Sequence, residues 1–251
     1  MKKKISIIII FILGLILVGL SYFNHNFLKE DHVDLPKEKT SNETLGTEAK
    51  TNTKKQYVER EKNNPNNYIK IDSILYNRIM DDDGTNYYLN HNLDGIEDDI
   101  GIPYIDFRTD FKTRKSLIYA HSTPNGKGPF QVLQNYHNNY NFYLEHPIIE
   151  VRYNDITYQF QIFSVYISTA NSEEDPGLEY FYHLYYSDEK WDNKIKEYKS
   201  LSEYDTGVEV SKEDKVLILQ TCSMDPNYYE KYYRYNLLVF GKMISQEKNS
   251  N

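Results

Sequence analysis

Apolar residues cluster first at the N-terminus. Lys2-Lys3-Lys4 precede an uncharged run from Ile5 to Phe23, interrupted only by Ser6 before Ser21. At 1.5 Å per residue the run reaches about 28 Å, close to the hydrocarbon thickness of a bilayer. A cleaved signal peptide has a shorter apolar core, about 7–15 residues, and a small-x-small cleavage site. Ser21-Tyr22-Phe23-Asn24 offers no such site and no cysteine for lipid attachment, so the run is expected to be an uncleaved signal-anchor over 5–23. The lysines of residues 1–4 hold the N-terminus in the cytoplasm by the positive-inside rule, which sends the rest of the chain outside. Residues 24–60 have few apolar positions and no period, the composition of a solvated linker. Part of 50–63 is compatible with a short N-terminal helical segment docked on the domain.

From about residue 61 to 245 the pattern changes to period two and short apolar runs. Strands are expected at 68–71, 116–120, 148–153, 158–166, 216–219 and 235–240, all rich in β-branched and aromatic residues. Asn154-Asp155 marks a hairpin turn between two of them. One segment has helical spacing instead. Trp191, Ile195, Tyr198 and Leu201 share a face, Ser187 stands as N-cap with Asp188 and Glu189 behind it, and Gly207 lies beyond the end. The expected fold is mainly β with added helices: a closed barrel with a helix in the long insert before the strand at 216. Residues 246–251 form a polar tail.

Composition narrows the function. The net charge is -8, from 29 basic and 37 acidic residues among 251. Without Lys2, Lys3 and Lys4 the exported part carries 26 basic residues against 37, or -11. That sign argues against a nucleic-acid partner. The 25 tyrosines fit pleated, half-buried surfaces. A single cysteine, Cys222, excludes an intrachain disulfide. It is therefore a small buried hydrophobe or a reactive thiol.

Its setting favours chemistry. Cys222 follows a strong strand in Leu219-Gln220-Thr221-Cys222-Ser223, and Arg234 opens the next strand. If the two strands are antiparallel neighbours, Cys222 and Arg234 meet at one barrel rim. His121 ends a third strand, 117–120, and completes that edge. The other six histidines have weaker settings: His25 and His32 in the linker, His137 and His146 in polar surface-type segments, His183 among tyrosines, and His91, after Tyr88-Leu89-Asn90, at the surface or in the core.

These residues resemble the sortases, the cysteine transpeptidases of Gram-positive cell surfaces, and among them class B. Ile118-Tyr119-Ala120-His121-Ser122 is similar to the family's strand-plus-His motif, with Ala120 where Gly is usual. Thr221-Cys222 matches its Thr-Cys motif, with Gln220 in place of a small residue, and Arg234 stands at the position of its Arg after a Tyr-rich segment. Asn64-Pro65 to Ile71, Tyr88-Leu89-Asn90-His91, His146-Pro147 and Phe163-Ser164-Val165-Tyr166 also fit class B, as does the long insert before Leu217. The resemblance implies a sortase-like closed β-barrel of about eight strands. It implies that Cys222 attacks a Thr carbonyl in a C-terminal sorting motif, that His121 serves as acid and base, and that Arg234 stabilises thiolate and oxyanion. Thr221, Gln220 and Leu89 would line the substrate groove. The partners it implies are a sorting-motif peptide, an amine of the peptidoglycan cross-bridge or a pilin, and the membrane that holds the anchor. No cofactor or metal is expected. With ordinary acidities about 3% of Cys and about 24% of His are charged at pH 7, so the reactive ion pair occupies under about 1% of molecules. That shortage is what a neighbouring guanidinium relieves.

Asp81-Asp82-Asp83-Gly84 and Glu97-Asp98-Asp99 lack the EF-hand spacing and read as solvated loops. Tyr228 to Tyr233 read as aromatic packing or a groove wall. Two further classes stay open: a catalytically silent barrel that binds or scaffolds, and a papain-like peptidase, against which the order of His121 before Cys222 speaks.

Overall fold

The computed structural model describes residues 66–169, 181, 184–227 and 235–249. The N-terminal apolar run, the linker, the helical segment expected before residue 63, the Tyr-rich segment and Arg234 lie outside them. No helix among the described residues is long and apolar enough to cross a membrane.

Nine strands form one sheet: β1 (Tyr68–Ile71), β2 (Leu75–Arg78), β3 (Met80–Asp81), β4 (Tyr104–Ile105), β5 (Lys115–Tyr119), β6 (Ile148–Tyr153), β7 (Ile156–Thr169), β8 (Val216–Cys222) and β9 (Tyr235–Lys248). Their order is β2-β1-β6-β7-β9-β8-β5-β4-β3, curled into a nearly closed barrel. The helices are α1 (Tyr140–Glu145) and α2 (Asp188–Ser200), with 3₁₀ turns at Tyr87–Leu89 and Gln131–Tyr136. All six strands expected from the pattern are present. The three additional ones, β2 to β4, span only two to four residues near the sheet's ends. Such short segments carry no period to read.

Curvature has local causes. β7 and β9 pair over their full length, with register shifts between Gln159 and Phe160 and between Ile162 and Ser164. Bulges of this kind bend a strand and sharpen its twist. A Cβ at Gly241 would come within 2.7 Å of Phe160 Cβ, so glycine lets β7 close onto β9. Asn154 and Asp155 both adopt positive φ, 49° and 60°, as a two-residue hairpin between β6 and β7 requires.

The core has two layers. Inside the barrel, Ile69, Ile118, Val151, Leu217, Leu219 and Val239 pack together. On the outer face of the same strands Leu117, Val216, Ile218, Leu238 and Phe240 lie with Trp191, Ile195 and Tyr198 of α2. Burial on both faces explains why β8 reads as a continuous apolar run rather than an alternation. Each of the three fully buried α2 side chains contributes about 1.5–3 kcal/mol. The start of α2 follows the sequence signals: Ser187 Oγ accepts from Lys190 N–H at 3.3 Å, with Asp188 and Glu189 in the first turn. Leu201, expected on the apolar face, instead caps the helix and is 41% exposed.

Candidate active site

The site stands near the end of two parallel strands, β8 running two residues further than β5. β5 and β8 pair in parallel register from Lys115↔Val216 to Tyr119↔Gln220. The Ala120 N–H extends the ladder by donating to Gln220 O at 3.2 Å. The pairing ends there: His121 and Cys222 each lie two residues past the last β5–β8 pair, Cys222 still in β8 and His121 beyond the end of β5. Side-chain alternation along β8 puts Cys222 on the outer face with Val216 and Ile218. On the other side of β8, β9 is antiparallel, with Cys222 opposite Asn236. Ser223 N–H donates to Tyr235 O at 2.8 Å. The antiparallel neighbourhood expected from the sequence is therefore present up to Tyr235, one residue short of Arg234.

Electrostatics push both groups toward their neutral forms. Burial drives the His121 imidazole below its ordinary value, against the pull of a hydrogen bond with the Leu89 backbone and the charge of Asp99. Burial drives the Cys222 thiol up. The Leu89 backbone is itself packed against Gly101, whose absent Cβ would fall 2.3 Å from Leu89 O. Leu89 and Gln220 are half-buried beside the site, whereas Thr221 is buried and its Oγ1 bonds Ser122 Oγ at 2.9 Å.

Several supporting residues have no sequence signature. Gln134, from the 3₁₀ turn, donates through Nε2 to Cys222 O at 2.9 Å and to Ser122 Oγ at 3.1 Å. Its Oε1 accepts from Met224 N–H at 2.9 Å. A groove of about 690 Å³ between the β1–β2 turn and the 3₁₀ turn includes Tyr76, Asn77, Gly101, Pro129 and Gln134 in its wall; Cys222 and His121 are not part of it. His137, expected on the surface, is clasped between Glu203 (Nδ1–Oε1 2.7 Å) and Asp225 (Nε2–Oδ2 2.5 Å), three residues past the cysteine. Gly128 meets the His121 carbonyl so closely that a Cβ there would lie 2.4 Å from the oxygen. Below His121, Tyr119 Oη donates to Asp106 Oδ2 at 2.7 Å, and Arg108 binds both oxygens of the same carboxylate.

The acidic clusters, expected as solvated loops, are partly built into the fold: Asp82 is buried and Asp81 accepts from the Tyr153 hydroxyl, while other contacts are local. Asp82 accepts from Gly84 N–H, Asp83 from Thr85 N–H and Asp98 from Ile100 N–H. Among the described residues, no three His, Cys, Asp or Glu side chains converge on a metal position.

No family model matches the chain. Curated relatives do. Sortase B of Listeria monocytogenes is 24% identical over 181 residues, which cover 70% of this chain and 68% of the relative. Sortase B of Staphylococcus aureus is 24% identical over 251 residues, covering 97% and 98%. Among solved structures, a Staphylococcus aureus sortase B–substrate complex superposes with a TM-score of 0.62 at 26% identity, covering 76% of this chain and 85% of that one. A sortase B complexed with triglycine gives 0.62 at 24%, covering 76% and 86%. Barrel and relatives point the same way: in sequence and in fold the chain is similar to the class B sortases, a family of cysteine transpeptidases.

Proposed function

We propose that the protein is a membrane-anchored sortase that cleaves a sorting motif after Thr and transfers the exported protein to an amine. The observation that supports this reading is the parallel register of β5 and β8, whose last pair, Tyr119 and Gln220, lies two residues before both His121 and Cys222. In the first step the Cys222 thiolate adds to the Thr carbonyl. The C–N bond breaks as His121 protonates the departing amine, leaving a thioester. In the second, an amine of the cell-wall cross-bridge or of a pilin attacks the thioester, gives its proton to His121 and releases the thiolate. The relatives solved with a substrate and with triglycine fit the two partners.

Two features favour Arg234 as the oxyanion donor and thiolate partner. Burial makes the reactive ion pair scarcer than ordinary acidities would, so a fixed positive charge is needed. The Ser223 N–H, which follows the nucleophile, is already spent on Tyr235 O. Half-buried Gln220 and Leu89 are assigned to the substrate, and buried Thr221, bonded to Ser122, to supporting them. Residues 5–23 anchor the enzyme with 1–4 inside and 24–60 as tether, leaving 61–245 as the catalytic domain outside. No cofactor enters this chemistry.

A second reading, a silent barrel, draws on the burial of the thiol. One experiment separates them. The full chain in detergent is incubated with quenched peptides carrying Asn-Pro-x-Thr or Pro-x-Thr-Gly motifs and a glycine amine. The wild type is expected to cleave and transfer, and Cys222→Ala to do neither. His121→Ala loses about 10²–10⁴-fold. Arg234→Lys is nearly as damaging as Arg234→Ala, because a point charge does not reproduce the planar fork. Turnover by Cys222→Ala would overturn the proposal.

A further inference from the structure

The ladder that positions Cys222 is incomplete on one side. β5 stops at Tyr119 and its chain leaves the sheet through His121 and Ser122. The Cys222 carbonyl, two positions beyond the last β5–β8 pair, is met by a side chain rather than by a strand backbone. Gln134 Nε2 donates to it at 2.9 Å. The same amide donates to Ser122 Oγ at 3.1 Å and accepts from Met224 N–H at 2.9 Å. The orientation of the amide is fixed by its partners, since a carbonyl only accepts and a backbone N–H only donates. Ser122 Oγ is in turn bonded to Thr221 Oγ1.

We infer that Gln134 is a positioning residue of the transpeptidase: it replaces the missing strand partner of Cys222 and ties the nucleophile's backbone to the residue that follows the catalytic histidine. The turn carrying it is well held. Leu133 and Tyr136, on either side of Gln134, are fully buried in the barrel core. Phe130 N–H donates to His121 O at 3.0 Å, whereas the bond from Thr123 N–H to Gln131 Oε1, also 3.0 Å, lies on the loop side and touches neither Cys222 nor Ser122 Oγ. With the Cys222 carbonyl held by Gln134 and the Ser223 N–H by Tyr235, both ends of the peptide after the cysteine are fixed. The Cα–Cβ direction of Cys222 cannot swing without breaking one of them. Reaction geometry is this sensitive: a displacement of about 1 Å costs about 10²-fold in rate.

A carboxylate is the most telling replacement. Glu keeps the shape of Gln but loses both donors and sets a negative oxygen against the Cys222 carbonyl and beside the developing thiolate. Leu keeps the bulk and loses every bond.

The kinetic arm rests on the transpeptidase reading; a second arm does not. In the full chain in detergent, kcat and KM are measured on the cleaved peptide, and iodoacetamide alkylation of Cys222 is followed against pH, for wild type, Gln134→Glu, Gln134→Leu and Gln131→Leu. The expectation is a loss of about 10- to 100-fold in kcat for both Gln134 variants, with KM within about twofold. Alkylation of Gln134→Glu should also need a higher pH than the wild type. Gln131→Leu, which removes a neighbouring bond of the same turn, should keep wild-type kcat and alkylation profile. A Gln134→Leu protein that does not fold leaves the test to Gln134→Glu. Wild-type kcat and alkylation in Gln134→Glu, or equal losses in Gln131→Leu, would overturn the inference. If the wild type cleaves no peptide, the transpeptidase reading fails, and the alkylation profile alone decides whether Gln134 governs Cys222.

Discussion

A methyl group added at Gly128 should disable His121 without touching its side chain. Gly128 has φ +149°, a region for glycine, and an ideal Cβ there would lie 2.4 Å from His121 O, 2.9 Å from His121 C and 3.1 Å from Ser122 Cα. Ordinary contact begins at 3.4 Å, so the backbone of His121 must retreat by about 1 Å. Those neighbours are main-chain atoms, and the His121 carbonyl is also tied to Phe130 N–H at 3.0 Å, so no side chain can swing aside to absorb the clash. The strained backbone costs about 1–3 kcal/mol, or roughly 3–10 °C in Tm for a domain of this size. The displaced imidazole should cost about 10²-fold in kcat. The matched control is Gly126→Ala, two residues away. Gly126 also has positive φ, +74°, but nothing lies within 4 Å of its ideal Cβ. It should lose about 1 kcal/mol of stability and retain turnover. Peptide turnover at 25 °C and thermal unfolding of both proteins decide the matter. Equal turnover in the two variants, with both folded, would refute the claim that the glycine makes room for the histidine.

Acidity yields two more expectations. With His121 held below its ordinary 6.5 and the Cys222 thiol pushed above 9.0 by burial, kcat/KM should show a broad plateau with an acid limb below 6.5. Arg234→Ala should move the alkaline limb upward; a downward shift would exclude Arg234 as the group that favours the thiolate. The Asp106 carboxyl is 4% exposed, and although burial raises it, the Arg108 side chain and the Tyr119 hydroxyl hold it below its usual value. Because the folded value is the lower one, its contribution is present above about 3.8 and is lost as pH falls through the folded value. Asp106→Asn should therefore cost about 1–3 kcal/mol at pH 7 in urea titrations and show a flatter loss of stability below pH 4 than the wild type. An unchanged slope would mean that the pair does not contribute.

Local chemistry was enough for much of the architecture. Period two in Tyr68–Ile71 and Ile148–Tyr153, the positive-φ pair Asn154-Asp155, and the Ser187 cap ahead of Trp191, Ile195 and Tyr198 each act within a few residues, so each is written in the chain. The positions of His121 and Cys222 at the ends of apolar runs were legible for the same reason, since a strand's end is visible in the pattern. The short edge strands β2 to β4 were not, because two to four residues carry no period. Nor was the set of groups that hold the site. Gln134 reaches Cys222 across 88 residues, and His137 reaches Asp225 across 88 and Glu203 across 66. A lone glutamine or histidine in a polar segment looks the same in sequence whether solvated or clasped. The sequence alone thus determined which residues can do chemistry and which strands carry them. Only the tertiary structure decided that β5 and β8, the strands leading to His121 and Cys222, pair in parallel, since strand partners are chosen by packing on both faces of the sheet, an interaction no local stretch contains.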